Sequence, residues 1–152
     1  MRLTRFSDYS LRVLMYAGLA SERLVTIAEL ADAYAISSNH LMKVVHFLSQ
    51  HGYLATQRGK GGGLRLGRDP AAVNLGELVR LTETEDVLVE CFDREHSQCR
   101  IGGVCRLTGL LRDAQEAFYA ELGRHTLADL LQQPAPLARV FGIDPASITR
   151  RV

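Results

Sequence analysis

Apolar residues recur at helical spacing along most of the chain, and the rhythm breaks once, into a short pair of extended runs. Leu11, Leu14, Met15, Gly18 and Leu19 predict a first helix reaching Ala20 behind a short arm. Ser7 can cap it, and Asp8 falls in the first turn, where the helix dipole favours a carboxylate. Arg12 lies one turn on, within ion-pair range of Asp8. Thr26-Ile27-Ala28-Glu29 is a capping box opening a short helix through Leu30, Ala31 and Ala33. After a turn at Tyr34-Ala35-Ile36, Ser37 or Ser38 caps a third helix. Its Leu41, Val44, Val45 and Leu48 face a core and its Asn39, His40 and Lys43 face outward, with Gly52 closing it. Residues 53–58 then predict a strand, Gly59-Lys60-Gly61-Gly62-Gly63 a turn, and Leu64-Arg65-Leu66 the returning strand.

Asp69-Pro70 marks a boundary. Asn74 can cap a helix through Leu75, Leu78, Val79 and Leu81 that ends near Thr84. The longest periodic stretch runs from about Val104 to Leu122, stopped by Gly123, with Leu107, Leu110, Leu111, Ala114, Ala117, Phe118 and Leu122 on one wide apolar face. Such a face has few same-chain partners, so the expectation is a homodimer; packing within the monomer is the alternative. A short helix is expected over Thr126–Gln132. Pro134 and Pro136 begin a tail with a weak apolar patch (Leu137, Val140, Phe141, Ile143) and no assigned role. The expected fold is mostly α with a small β-hairpin wing. Residues 1–68 form the winged helix-turn-helix, 69–132 a thiol-bearing loop and dimerisation helices, and 133–152 a tail.

A helix pair followed directly by a hairpin points to winged-helix DNA binding. A nucleotide phosphate loop would need its glycines to run into a helix opening with Lys-Ser or Lys-Thr, and a strand follows here instead. The plain reading of the same residues is a flexible hairpin. Net charge is only +1, which alone argues against nucleic acid. The distribution changes that: residues 1–68 carry nine Lys/Arg against four Asp/Glu, and residues 69–132 six against twelve. Ser38, Asn39, His40 and Lys43 are the candidates for the major groove, since Asn and Lys suit adenine and guanine edges. Arg58 and Lys60 of the wing would reach the backbone or minor groove, with Arg65 adding charge. The expected partner is double-stranded DNA with a palindromic operator.

All three cysteines fall between Cys91 and Cys105, with seven residues and then five between them. Disulfides are the weakest reading, because the number is odd and no secretory signal opens the chain. Catalysis would need a base, and His96 is the lone nearby candidate, so no enzyme is expected. Coincidence, three ordinary apolar thiols, is the bland reading. Metal is the favoured one, because thiolates are soft ligands for zinc or iron–sulfur clusters, and the wide spacing favours the cluster. Zinc held by the three cysteines and His96 stays open. No apolar run approaches the roughly 20 residues needed to cross a bilayer, and a cytoplasmic protein is expected.

Three further stretches complete a resemblance: residues 1–12, from Met1-Arg2-Leu3-Thr4 through Asp8 to Arg12; Ile36-Ser37-Ser38-Asn39-His40-Leu41-Met42-Lys43-Val44-Val45; and the wing Arg58-Gly59-Lys60-Gly61-Gly62-Gly63. With the three-cysteine loop before a long helix, the chain from Met1 to about Gln132 resembles the bacterial winged-helix iron–sulfur repressors that include IscR and NsrR. Relatives with a 2Fe–2S cluster carry a histidine shortly after the third cysteine; here Arg106, Leu107, Thr108 and Gly109 follow Cys105. The nitric-oxide-sensing branch instead completes a 4Fe–4S site with an aspartate of the first helix, given by the other subunit, and Asp8 matches it. The stretch from Arg112 to Tyr119 is also similar to that branch. The resemblance therefore implies a homodimeric repressor whose Cys91, Cys99, Cys105 and Asp8 hold a 4Fe–4S cluster that nitric oxide destroys, releasing DNA. Arg12, with Glu85 and Asp113 as candidate partners, would be the switch. The gap between Cys91 and Cys99 is longer than the family's, and His96 inside it is a candidate substitute ligand.

Overall fold

The computed structural model describes residues 2–83, 88–93, 96–101, 103–144 and 148. Helices α1 (Arg5–Leu19), α2 (Ile27–Tyr34) and α3 (Ser38–Gln50) lead into strands β1 (Leu54–Gln57) and β2 (Gly63–Leu66). A short 3-10 turn (Pro70–Ala72) precedes α4 (Leu75–Thr82), and another (Glu90–Phe92) precedes α5 (Arg106–Leu122), α6 (Leu127–Leu130) and α7 (Pro134–Val140). The fold is mostly helical with a two-stranded antiparallel hairpin, as the pattern predicts. No helix among the described residues is long and apolar enough to cross a membrane. The chain divides into two compact units, Asp8–Val73 with Thr126–Val152, and Met1–Ser7 with Asn74–His125.

In the first unit the apolar stripes of three helices meet: Val13, Leu14 and Leu19, then Leu30, then Leu41, Val44 and Leu48 are all essentially inaccessible. Each such side chain contributes roughly 1.5–3 kcal/mol relative to exposure. Thr26 caps α2 by accepting the Glu29 amide at 3.2 Å. The helix stops at Ala35, which takes a left-handed conformation at φ 52°. That single kink turns the chain into α3. β1 and β2 pair in the register Leu54↔Leu66 to Gln57↔Gly63. Val25 joins β2 as an isolated bridge through Leu64, with both backbone bonds at 2.8–2.9 Å. Gly18 makes room for Leu131, whose methyl group lies 2.5 Å from where a Cβ would sit.

The stretch expected as a tail without a role contains a helix. Pro134 occupies the first turn of α7, where its missing N–H is no loss. Ala138 and Ile143 are buried. Phe141 packs on Tyr16 and Tyr34 with ring centroids 5.2 and 5.0 Å apart.

In the second unit α4 lies close against α5. A Cβ on Gly76 would come 2.5 Å from the Tyr119 carbonyl oxygen, so only glycine permits the approach. Arg80 forks onto the Glu116 carboxylate at 2.9 and 2.7 Å and covers the Tyr119 ring, raising its own pKa and lowering that of Glu116. Asn74 caps α4 through the Glu77 amide and also donates to the Gly123 carbonyl at 2.7 Å.

Two predicted boundaries shift. Thr4, not Ser7, caps α1: its hydroxyl accepts the Ser7 amide at 3.1 Å. Ser7 sits fully buried in the first turn, bonded to Thr82 Oγ1 at 2.7 Å and to Glu83. The Glu83 carboxylate also accepts from the Thr4 amide and hydroxyl at 2.8 and 2.9 Å. α5 starts at Arg106 rather than near Val104, because Cys105 is in an extended conformation (φ −77°, ψ 114°) and stands as its cap residue.

Candidate nucleic-acid interface and thiol segment

α3 buries Leu41, Val44, Val45 and Leu48 and leaves Ser38, Asn39, His40 and Lys43 exposed. The four predicted groove residues therefore share the solvent side of one helix near its start. His40 is the most constrained of them. Its Nδ1 lies 3.1 Å from Ser37 Oγ, and its ring sits 6.2 Å from that of Tyr9 on α1. The helical period extends the face to Met42 and His46, both exposed, which the sequence reading passed over. Their signal was available, since His46 follows Lys43 by three positions.

Arg58 and Lys60 are exposed at the tip of the hairpin. Gly59 and Gly61 hold positive φ angles of 96° and 77°, and a Cβ on Gly62 would meet the backbone oxygens of Gln57 and Gly59. The glycines thus let the wing fold back tightly and hold its two cations outward. Arg65 is exposed on β2. Arg68 donates to the Gly52 and His51 carbonyls at 3.1 and 2.5 Å and lies over the Tyr53 ring.

Asp8 stands in the first turn of α1 and pairs with Arg12 Nη2 at 2.9 Å, the side chains being 41% and 44% exposed. The Arg12 guanidinium also faces the Tyr34 ring, and the Tyr34 hydroxyl donates to the Arg12 carbonyl at 3.0 Å. Burial drives the Tyr34 hydroxyl up to a pKa of about 12. Of the other two switch candidates, Asp113 is exposed on α5, and Glu85 lies outside the described residues.

Cys91, Cys99 and Cys105 are free thiols and all half-buried. Cys91 belongs to the 3-10 turn Glu90–Phe92, and its Sγ lies 3.4 Å from Thr108 Oγ1. Cys105 is the cap residue of α5. The backbone N–H of Thr108, then its hydroxyl, then the Leu107 N–H hold that thiol below its ordinary pKa. The Cys99 amide bonds Ser97 Oγ, and Glu90 accepts from the Gln98 amide, folding the middle of the segment back on its start. His96 is exposed and pairs with Asp93 at 3.0 Å. Among the described residues no three Cys, His, Asp or Glu side chains are gathered closely enough to hold a metal ion. The donor chemistry nonetheless fits an iron–sulfur cluster: three reduced, partly accessible sulfurs on a turn-rich segment.

Ile101 and Val104 at the end of the segment and Leu107 and Leu110 on α5 are 57–85% exposed, and α5 buries no residue.

A family model described as Rrf2, iron-dependent transcriptional regulator, matches residues 3–133. The HTH-type transcriptional regulator NsrR of Bacillus subtilis (strain 168) is 47% identical over 144 residues, covering 93% of this chain and 97% of its own length. NsrR of Bacillus licheniformis is 46% identical over 132 residues, covering 86% and 92%. The solved structure of T. potens IscR has the same fold, with a TM-score of 0.69 at 18% identity over 88% of each chain.

Proposed function

The chain belongs to the Rrf2 family of iron-dependent transcriptional regulators, and from that membership we propose that it is a homodimeric repressor that releases its operator when nitric oxide destroys an iron–sulfur cluster. The observation that carries this reading is the thiol segment, with its three free cysteines between Cys91 and Cys105. Cys91, Cys99 and Cys105 would hold a 4Fe–4S cluster together with Asp8 of the partner subunit. When bound, such a cluster would supply iron able to react with nitric oxide, with Asp8 its one oxygen donor among the three cysteine sulfurs.

The chain's own residues translate that loss. A carboxylate is a harder and weaker donor to iron than a thiolate, so Asp8 is the ligand most readily given up. Arg12 stands at 2.9 Å, ready to hold the freed carboxylate. Asp8 and Tyr9 are neighbours on α1, and Tyr9 faces His40 of the reading helix. Exchange of Asp8 between the two partners would therefore alter α1 where it touches α3. Affinity for a palindrome depends on the spacing of two reading helices, so a small shift lowers it. The exposed apolar side chains from Ile101 to Leu110 support a second copy as the covering partner. Asp113 and Glu85 remain candidates for re-pairing Arg12.

Anaerobic purification followed by iron, sulfide and zinc analysis tests this reading. About four irons and four sulfides per chain, bleached by nitric oxide, are expected. About two irons would move the protein to the 2Fe–2S branch, and colourless protein with stoichiometric zinc would overturn the mechanism. An Asp8→Ala protein with a normal cluster and normal nitric-oxide-dependent release would remove Asp8 from the site.

A further inference from the structure

We propose that Thr108 is a positioning residue of the thiol site, its hydroxyl tethering Cys91 to the first turn of α5 beside Cys105. The inference deepens the iron–sulfur reading and rests on it. Cys91 Sγ and Thr108 Oγ1 are 3.4 Å apart across 17 residues of sequence, within reach of a hydrogen bond to sulfur. Thr108 also sits three residues after Cys105, the position from which a side chain reaches back over a helix start. One side chain thus meets Cys91 from the first turn of the helix that Cys105 caps.

The local sequence shows no helical reason for a threonine there. Thr is a weaker helix former than Ala. Its neighbours Leu107 and Gly109 are exposed while Thr108 is half-buried, on the side where the cysteines lie. One turn further along α5, the Arg112 guanidinium lies 5.5 Å from the ring centre of Phe92. The turn holding Cys91 is therefore pinned to α5 at two successive positions. A metal-bound thiolate is only an acceptor, so toward it the threonine hydroxyl donates. Hydrogen bonds donated to ligating sulfur stabilise the more negatively charged, reduced form and slow ligand loss. The proposal gives Thr108 these two effects.

The test compares Thr108→Val, which keeps the shape and removes the hydroxyl, with Thr108→Ser, which keeps the hydroxyl. Each full-length protein is reconstituted anaerobically beside the wild type, and its midpoint potential and rate of iron loss to EDTA are measured. The expected result is a lower potential and about 10-fold faster iron loss in the valine protein, with serine restoring both toward wild type. Valine equal to wild type, or serine as impaired as valine, overturns the proposal. Iodoacetamide labelling of the iron-free proteins, read by mass spectrometry, keeps the two readings separate. There the valine protein should label Cys91 about 3-fold faster than wild type with Cys99 unchanged, as expected when a tether holding a half-buried thiol is cut. A wild type that takes up no iron overturns the cluster reading; equal Cys91 labelling in valine and wild type overturns the tether.

Discussion

Arg23, Tyr16 and the backbone at Thr26 converge on the Glu29 carboxylate. Tyr16 donates to it at 2.8 Å and Arg23 Nη1 at 2.9 Å. The Arg23 bond is the chief reason its pKa is lowered; burial opposes the shift, and Tyr16 and the Thr26 backbone add to it. A carboxyl group with a depressed folded pKa stabilises the fold above its unfolded value and loses that contribution as pH falls through the folded one. Glu29→Gln should therefore cost about 1 kcal/mol at neutral pH, given how exposed Arg23 is. Urea unfolding should show that gap closing as the pH falls below the ordinary carboxylate range, where the wild-type carboxyl at last protonates. An undiminished gap at acid pH would assign Glu29 a role other than ion pairing. At the same scale, Gly76→Ala forces a Cβ against the Tyr119 carbonyl oxygen at 2.5 Å. It should lower stability by about 1–3 kcal/mol in thermal unfolding.

The wing and α5 are the elements whose roles separate most cleanly. Arg58→Ala should weaken binding to every DNA sequence and reduce the slope of log affinity against log salt by about 1. An unchanged slope would take Arg58 out of the interface. Leu110 is 66% exposed on α5, and Leu110→Glu should convert a dimer to a monomer in sedimentation and reduce operator binding at least 10-fold. Elements such as these were legible because their signals are local. Thr26 and Asn74 cap the predicted helices, and the glycine run forms the predicted hairpin turn. What the sequence hid is contact between distant positions. Glu83 reaches Thr4 and Ser7 across 76–79 residues, a contact that draws Ser7 inward and leaves the cap to Thr4. Phe141 packs on Tyr16 and Tyr34, which no pattern within the tail announces. Thr108 was visible only as one of the four residues after Cys105, none of them a histidine. Its meeting with Cys91 depends on the fold of the segment between them.

At the scale of the whole molecule, fold and family agree with the reading of the chain as a winged-helix regulator. The basic, exposed groups of α3 and the wing belong to the unit containing Asp8, and the cysteines belong to the other. A ligand set that takes three sulfurs from one chain and Asp8 from its partner would join sensing in one subunit to reading in the other. The measurement that tests this most directly is anaerobic titration of the cluster-loaded protein with nitric oxide while its affinity for a DNA site, isolated by selection with the same protein, is followed. Affinity is expected to fall at least 10-fold in step with bleaching of the cluster, and Asp8→Ala to break the correspondence. Full affinity retained after complete bleaching would contradict it.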